Sequence, residues 1–596
     1  MEAWSITTTV RDPERVPDFL AGIKRVEGRA WDNAAQADFF CELISLKLYS
    51  PTQMSDEHQA IFDDPYQTIS FELARDIVAA KNYVGGPEMR GRQAIQPLLK
   101  TGLVKSEPTV QITPLGSALV DGKISFQEVM LNWALKWEMP TPGDTKFTLA
   151  KGYNIKPFVG TLALIQKVNE KAIASGLNAV GIARNEFDLF APTLIDWQRI
   201  DEFAERIIKF RKAGKGLDSA RAKLEAQRSA IQEHLTAIAG SEPVTNTNLR
   251  SLSDYGDNAI RYFRATSFIE FRGAGRYVDV AMGSREQVNQ LIANELYKPT
   301  GYASEEAYLN TLSDQSAAPP PWNSATNLEK VKQTLRSVLV DELGVDPGEL
   351  PIVTATQPVR VTGEDDEIRS LKATLKQVRL AQMKAESRTQ NFVNSFIAEY
   401  GLLPKNTYVG YLPKPVALEF NAFKTFLSLN DALAVTPNYP TGDDGEPTST
   451  AAGGKTDMIV EYSDFLLSVE VTMESGRNQW AMEGQPVQRH LRKLEDESDK
   501  EAYALFLAPR IHEDTLETFW HSNKHGYQGR GQRIVPMSFQ VWTDYLSQIE
   551  SSLLDGTYES TKVQQFLNAG LPQPHHTSST EWFEYIKSSD YLERAV

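Results

Sequence analysis

The sequence predicts a multidomain protein with a mainly α N-terminal half built on winged helix-turn-helix units, a helical linker and a C-terminal α/β domain. Three observations predict it. In the first half, apolar residues at helical spacing are twice followed by two short strand-like runs. The segment SAAPPPWNSATN from Ser316 then interrupts all periodicity, because three consecutive prolines cannot continue a helix. Beyond Met458 the pattern changes to apolar strand-like runs alternating with helical ones, an α/β order. A chain of 596 residues has room for several domains of ordinary size. The expected division is 1–315 for the first part, with subdomains at about 1–140 and 150–300, then 316–386 for the linker and 387–596 for the last domain. No internal repeat of fixed period is present, and MPTPGDT from Met139 marks a further break.

The first winged unit is read from RGRQAIQPLLKTGLVKSEPTVQITPLGSALV, starting at Arg90. Ile95, Leu98 and Leu99 fall on a helical period that Thr101-Gly102 ends. Leu103-Val104 and Val110-Gln111-Ile112 form a small hairpin, and Pro114-Leu115-Gly116 opens the next helix. The second unit is read from RYFRATSFIEFRGAGRYVDVA: a helix end at Arg261, a strand at Phe268–Phe271, a Gly273-Ala274-Gly275 turn and a strand at Tyr277–Val280. Modules of this order place a helix in the major groove of DNA and touch the backbone with the hairpin, although winged folds also serve as protein–protein modules. Arg90, Arg92 and Lys100 in the first unit, and Arg261, Arg264, Arg272 and Arg276 in the second, are the candidate DNA-binding residues. Past the triproline segment, Ile368, Leu371, Leu375 and Val378 make one apolar stripe, with Asp365, Asp366 and Glu367 at the dipole-favoured start of the helix. A packing helix or spacer is the expected role.

The C-terminal part follows the loop NYPTGDDGEPTSTAAGG from Asn438. Met458–Tyr462 reads as a strand, Ser463-Asp464 as a tight turn and Phe465–Met473 as the returning strand. A helix is expected from Arg477, then strands at Tyr503–Leu507 and in RIVPMSFQVW from Arg533. Upstream, TQNFVNSFIAEYGL is a helix with an apolar face, and Glu419 lies beyond it.

Composition excludes several classes. No apolar run is long enough to span a bilayer, so no membrane association is expected. The N-terminus lacks a basic head followed by an apolar core, so no secretory signal is expected. One cysteine, Cys41, allows no internal disulfide and suits a reducing cytoplasm. No HExxH or CxxC zinc pattern occurs. Gly453-Gly454-Lys455-Thr456 ends like a phosphate loop but lacks the first glycine, and no GxGxxG follows a strand. The net charge of −16 runs against nucleic-acid binding, which depends instead on where the charges lie. Arg206, Lys209, Arg211, Lys212, Lys215, Arg221, Lys223 and Arg228 form one basic stretch, either a solvated helix face or a phosphate-binding surface.

The chemistry-bearing residues lie around the predicted hairpin. Asp457 stands at the mouth of the first strand and Glu470 on the second, where Glu470 and Thr472 share a face. Two close carboxylates repel unless a cation lies between them, and magnesium is a hard cation suited to carboxylate and water oxygens. Glu483 and His490 are seven apart, hence on nearly one helical face with Arg489 beside them. Glu483 is a candidate metal ligand or water-orienting group, and His490 a phosphate donor or proton carrier. Glu419 completes the candidate carboxylate cluster.

At Ala451-Ala452-Gly453, Asp457-Met458, Tyr462, Asp464-Phe465, Glu470-Val471-Thr472, Met482-Glu483, Pro486-Val487, Arg489-His490 and Leu505–Pro509 the chain resembles the AlwI-type restriction endonucleases, which include site-specific nicking relatives. Weaker similarity covers ALEF at Ala417, RYFR at Arg261 and KW at Lys136. The resemblance implies a PD-(D/E)xK nuclease domain with Glu419, Asp457, Glu470, Glu483 and His490 as catalytic residues and Asp457, Glu470 and Glu483 as metal ligands. It implies Mg2+, with Mn2+ as a substitute, and type IIS cleavage of double-stranded DNA at a fixed distance from an asymmetric site. A strand-specific nickase, the large subunit of a heterodimer and an inert DNA-binding protein are the competing expectations. Expected partners are DNA, a transient second copy or small nuclease subunit, and a cognate DNA methyltransferase, in a prokaryotic cytoplasm. The usual motif lysine two residues after the glutamate is here Thr472, and Lys455 is a candidate replacement.

Overall fold

The computed structural model describes all residues except 1, 7–9, 11–12, 52–53, 64–66, 82, 84, 214–219, 240–244, 273–275, 353–363, 406–407, 410–411, 430–431, 443–444, 448–449, 452–453, 477 and 596. The Gly273-Ala274-Gly275 turn, Lys215 and Ala452-Gly453 lie outside the described residues, as do the side chains of Arg221, Lys223 and Arg228. The chain is mostly helical, with a mixed sheet in its C-terminal part. It divides into two compact units, Met1–His58 with Thr68–Lys376, and Gln59–Gln67 with Gln377–Val596.

The first unit is helical with small sheets. Helix α1 (Asn33–Ser45) packs on α2 (Phe71–Lys81) and α3 (Gly86–Ala94). Gly85 and Gly86, both at positive φ, make the entry to α3. Positive φ is the region glycine adopts without a Cβ clash. At Gly91 the α1 backbone comes so close that a Cβ would lie 2.0 Å from the Gln36 carbonyl oxygen. The predicted hairpin is present as antiparallel β1 (Val104–Lys105) and β2 (Gln111–Ile112), with Val104 opposite Ile112. Ile95, Leu98, Leu103, Val104 and Leu115 join Val16, Phe19 and Leu20 in one core, so the apolar period of the sequence does mark the buried side.

Farther along, α4 (Pro157–Ala174), β3 (Ile182–Ala183) and α5 (Arg184–Phe190) precede α6 (Asn246–Arg264), β4 (Ile269–Arg272) and β5 (Tyr277–Val280). The sheet order is β3-β5-β4, antiparallel throughout, with Ile182 opposite Val278 and Phe271 opposite Val278 on its other side. The triproline segment packs rather than dangles: Trp322 is fully buried against Phe268 at 5.7 Å. Helix α7 (Asp366–Glu386) carries the predicted stripe, with Ile368, Leu371 and Leu375 buried and Val378 half-buried. Its acidic start is held by Lys332, which bridges Asp365 at 2.6 Å and Glu367 at 2.9 Å.

The second unit is built on a five-stranded sheet. In chain order the elements of the sheet and the helices around it are α8 (Gln390–Leu402), α9 (Lys414–Ser428), β6 (Ala434–Pro437), β7 (Met458–Glu461), β8 (Phe465–Val471), α10 (Gln485–Asp496), β9 (Glu501–Ala508), α11 (Glu513–His525), β10 (Ile534–Ser538) and α12 (Phe539–Gln548), and further helices follow between Glu550 and Ala595. The strand order is β10-β9-β8-β7-β6. β6, β7 and β8 form an antiparallel meander, and β8, β9 and β10 run parallel. The parallel step from β8 to β9 requires a crossover, which α10 supplies. β8 and β9 are buried almost throughout, as expected for strands covered on both faces. Two elements go beyond the sequence reading. α9 surrounds Glu419 with a helix buried from Val416 to Ser428, and β6 adds an edge strand of alternating exposure.

Candidate active site

Each predicted acidic residue comes from a different element, and the elements meet where β7 and β8 converge. Val469 pairs with Met458, so Asp457, just before β7, faces the end of β8. There its Oδ2 accepts the Val471 backbone N–H at 2.8 Å. Glu470 is 4% exposed, inside a strand whose neighbours on both sides are paired. Its Oε1 lies 2.9 Å from His490 Nδ1 on α10 and accepts the Ser468 hydroxyl at 3.2 Å. Glu419, 8% exposed on α9, accepts the Ala451 backbone N–H through Oε2 at 2.8 Å. Glu483 sits in a π-helical turn, Trp480–Gly484, immediately before α10, and takes a hydrogen bond from Thr472.

Asp457, Glu470 and Glu419 thus share one arrangement: one carboxylate oxygen is fixed by a hydrogen bond, while Asp457 Oδ1, Glu470 Oε2 and Glu419 Oε1 have no partner among the described residues. Their electrostatics agree. Burial pushes Glu419 up to about 7, against the Ala451 N–H and with the charge of Glu470. Burial, then the charges of Glu470 and Glu419, hold Asp457 well above the carboxylate range, with Val471 N–H opposing and Glu483 adding. Burial takes Glu483 to about 7, against the Thr472 hydrogen bond, with Glu470 again raising it. Like charges in a desolvated pocket produce this pattern, and a cation among them reverses it.

Among the described residues, no group of three or more Asp, Glu, His or Cys side chains is placed to hold a metal ion. The candidate donors are all carboxylate oxygens, so the set suits a hard, hydrated cation and not a thiolate metal. Magnesium keeps several waters and needs only one or two protein carboxylates beside a substrate phosphate. His490 adds a buried Nε2 with no hydrogen-bond partner among the described residues. With Nδ1–H donating to Glu470, the neutral ring leaves Nε2 as a bare proton acceptor.

Other sequence-predicted residues are placed differently. Lys455 is exposed and makes no hydrogen bond or ion pair with the cluster among the described residues. Arg489 is exposed on α10. In the first unit, Arg261 pairs with Asp257 at 3.1 Å, Arg264 lies over the Phe271 ring at 4.7 Å, and Arg272 bridges Glu270 at 3.0 Å and Asp279 at 2.9 Å. Lys100 donates to the Ile6 carbonyl and Arg90 lies over Tyr83 at 5.8 Å. Arg92 and Arg276 are exposed, and neither side chain has a partner among the described residues. In the basic stretch, Arg206 pairs with Glu202, Lys209 with Glu233 at 2.6 Å and Arg211 with Glu186 at 2.6 Å, while Lys212 is exposed.

Sequence reasoning missed Thr456 and Ser468, whose hydroxyls meet at 2.7 Å, with Ser468 in contact with Glu470. The available signal was Ser468 itself, the single small polar residue in Phe465–Val469, two positions before Glu470 and on its face of the strand.

The family described as AlwI restriction endonuclease matches residues 99–544. No curated protein matches the chain. Among solved structures, the small subunit of the heterodimeric restriction endonuclease R.BspD6I is 23% identical, with 33% of this chain and 97% of that chain covered. The TM-score is 0.28, too loose a likeness to bear on fold or function.

Proposed function

The chain belongs to the AlwI restriction endonuclease family, and from that premise we propose that it is a type IIS DNA endonuclease. In this reading it uses Mg2+, or Mn2+ in its place, to hydrolyse phosphodiester bonds at a fixed distance from an asymmetric site. The observation that supports it is the trio Asp457, Glu470 and Glu419, each with one oxygen pinned and the other without a partner among the described residues, in a pocket where burial first and neighbouring carboxylate charge second raise Asp457 and Glu419. Asp457 and Glu470 are the residues that would hold the cation, with Glu483 beside them. A bound Mg2+ supplies Lewis-acid polarisation of the scissile phosphate and stabilises developing charge on oxygen. The backbone N–H groups of Val471 and Ala451 fix the orientation of Asp457 and Glu419. His490 is hydrogen-bonded to Glu470 through Nδ1 and carries the bare Nε2 that can take a proton from an attacking water. Lys455 has no place in this assignment.

Site recognition belongs, in this reading, to the helical unit. The order β3-β5-β4 with α4, α5 and α6 supports a winged-helix reading in which the helices Ile200–Ala213 and Ala220–Ala239 are an insertion. Of the candidate arginines, Arg92 on α3 and Arg276 just before β5 have no side-chain partner among the described residues, and so are available to phosphate or base edges. A second reading within the same chemistry, a strand-specific nickase or large subunit of a heterodimer, is favoured by the presence of a single carboxylate cluster of this kind among the described residues.

The deciding experiment is cleavage of a plasmid library in Mg2+ by the wild type, Asp457→Ala and Glu470→Ala. Both variants are expected to lose on the order of 10^3-fold or more in rate, several kcal/mol of transition-state stabilisation at about 1.4 kcal/mol per decade. Both are expected to keep site-specific DNA binding in a gel-shift assay. Normal cutting by both would remove the assignment; binding without cutting by the wild type would point to an inert DNA-binding protein.

A further inference from the structure

Thr456 and Ser468 are buried next to Asp457 and Glu470, at positions outside those that carry the family resemblance. Ser468 is 1% exposed and Thr456 8%. Thr456 precedes Asp457, and Ser468 lies two residues before Glu470, so the pair joins the two strands that carry the candidate ligands. The hydroxyl oxygens are 2.7 Å apart. Thr456 Oγ1 also lies 3.2 Å from the carbonyl oxygens of Met458 and of Val469, and Ser468 Oγ is 3.2 Å from Glu470 Oε1. The Thr456 carbonyl accepts the Asn438 side-chain amide at 2.6 Å, which ties the segment to the chain beyond β6.

Two hydroxyls carry two protons, and that count limits the network. If Ser468 donates to Glu470, Thr456 can donate to Ser468. If Ser468 instead donates to Thr456, Thr456 can donate to a carbonyl, and Glu470 Oε1 keeps His490 alone. An ionised carboxylate is a stronger acceptor than an amide carbonyl. A charged Glu470 therefore draws the chain Thr456 to Ser468 to Glu470. With His490 Nδ1 on the same oxygen, Oε1 receives two donors, while Oε2 has no partner among the described residues.

We propose that the Thr456–Ser468 hydroxyl pair is a positioning device for Glu470, setting which of its oxygens is offered to the divalent cation and locking β7 to β8 so that Asp457 keeps its place beside it. This rests on the nuclease reading above and assigns to two hydroxyls part of the ordering that a motif lysine is usually credited with, since position 472 is threonine and its hydroxyl serves Glu483. Groups that orient a metal ligand without touching the metal commonly change affinity by about 10–100-fold when removed.

The test uses the full-length protein and reads cation binding as well as cleavage. Ca2+ alone is titrated calorimetrically into wild type, Ser468→Ala, Thr456→Val, Thr456→Ser and Glu470→Ala. The Mg2+ dependence of cleavage is measured in parallel. Ser468→Ala is expected to weaken Ca2+ binding about tenfold and to shift the Mg2+ requirement upward by a similar factor, with DNA affinity unchanged. Thr456→Val is expected to shift both in the same direction by less, and Thr456→Ser to restore wild-type values. Unchanged Ca2+ binding and Mg2+ dependence in Ser468→Ala, with Glu470→Ala impaired, would overturn the positioning role while leaving the nuclease reading intact. Wild-type behaviour in Glu470→Ala would instead overturn the nuclease reading itself. Should Ser468→Ala fail to fold, the contrast between Thr456→Val and Thr456→Ser decides, equal values overturning the proposal.

Discussion

His234 shows how much a single buried side chain dictates. It is 2% exposed, 4.2 Å in ring separation from Phe190, with Nε2 3.2 Å from the Thr193 hydroxyl and Nδ1 3.4 Å from the Arg206 guanidinium. Burial, then the charges of Arg206 and Arg199, drive its pKa down to about 3. The folded protein thus keeps this ring neutral where the unfolded chain, with an ordinary histidine pKa near 6.5, takes up a proton. The stabilisation is present above about 6.5 and is lost as pH falls toward 3. Between pH 6.5 and 5 the loss is about 2 kcal/mol, at about 1.4 kcal/mol per unit. Urea unfolding of the wild type at those two pH values should show the loss, and His234→Gln should flatten it. The acidic cluster behaves in the opposite sense. Glu419 and Glu483 are raised to about 7, so their contribution is full below the ordinary glutamate value near 4.5 and disappears as pH rises through about 7. In EDTA the melting temperature of the sheet unit should fall between pH 5 and 8. Millimolar Mg2+ should restore it, because a cation bound only by the folded site stabilises by mass action. A melting curve indifferent to Mg2+ at pH 8 would speak against a cation site there.

At the scale of elements, the crossing of α1 and α3 depends on an absent Cβ. At Gly91 a Cβ would stand 2.0 Å from the Gln36 backbone oxygen, and backbone cannot swing aside as a flexible side chain can. Gly91→Ala should cost at least about 2 kcal/mol, read as a drop in the unfolding midpoint, from overpacking at the crossing. Gly401, in α8 with open space around its Cβ position, is the control. Gly401→Ala should be neutral or stabilise by up to about 1 kcal/mol through helix propensity. These elements also show where the sequence was readable. The hairpin at Val104 and Ile112, the strands at Met458 and Phe465 and the crossover helix before β9 followed from apolar period and turn residues alone. α9 did not, because a helix buried on every side has no amphipathic stripe to detect, and its polar residues satisfy one another's neighbours: Asn421 donates to the Phe396 carbonyl and Lys424 to Glu399. Its burial is what turns Glu419 from an ordinary acidic residue into part of the cluster. The arginines chosen from the sequence as DNA ligands were legible as basic residues only. Arg261 pairs with Asp257 four residues earlier on the same helix, a contact that helical spacing does encode, whereas Arg272 reaches Glu270 on its own strand and Asp279 across the hairpin, and the second of these depends on the strand register.

For the whole molecule, the count of catalytic sites sets the reaction's outcome. A duplex has two antiparallel strands, and one asymmetric carboxylate cluster addresses one scissile phosphate in one orientation. The described residues hold one such cluster, built from α9, β7, β8 and the turn before α10. A chain acting alone should therefore convert a supercoiled plasmid with a single recognition site to open circle first. If a second copy supplies the other site, linear product should appear with a rate that rises as the square of enzyme concentration at low enzyme, and a two-site plasmid should linearise faster. If the chain is a nickase, open circle should persist at every concentration, with all nicks on one strand in runoff sequencing. Linear DNA formed without an open-circle intermediate, at a rate first order in enzyme, would require a second active site in the same chain and would contradict the single-cluster assignment. The net charge of −16 sharpens the choice, since two such chains repel at low salt and attraction to DNA weakens as salt rises. Cleavage that depends on pairing of copies on DNA should accordingly pass through a maximum with ionic strength, whereas single-strand nicking by one chain should fall steadily.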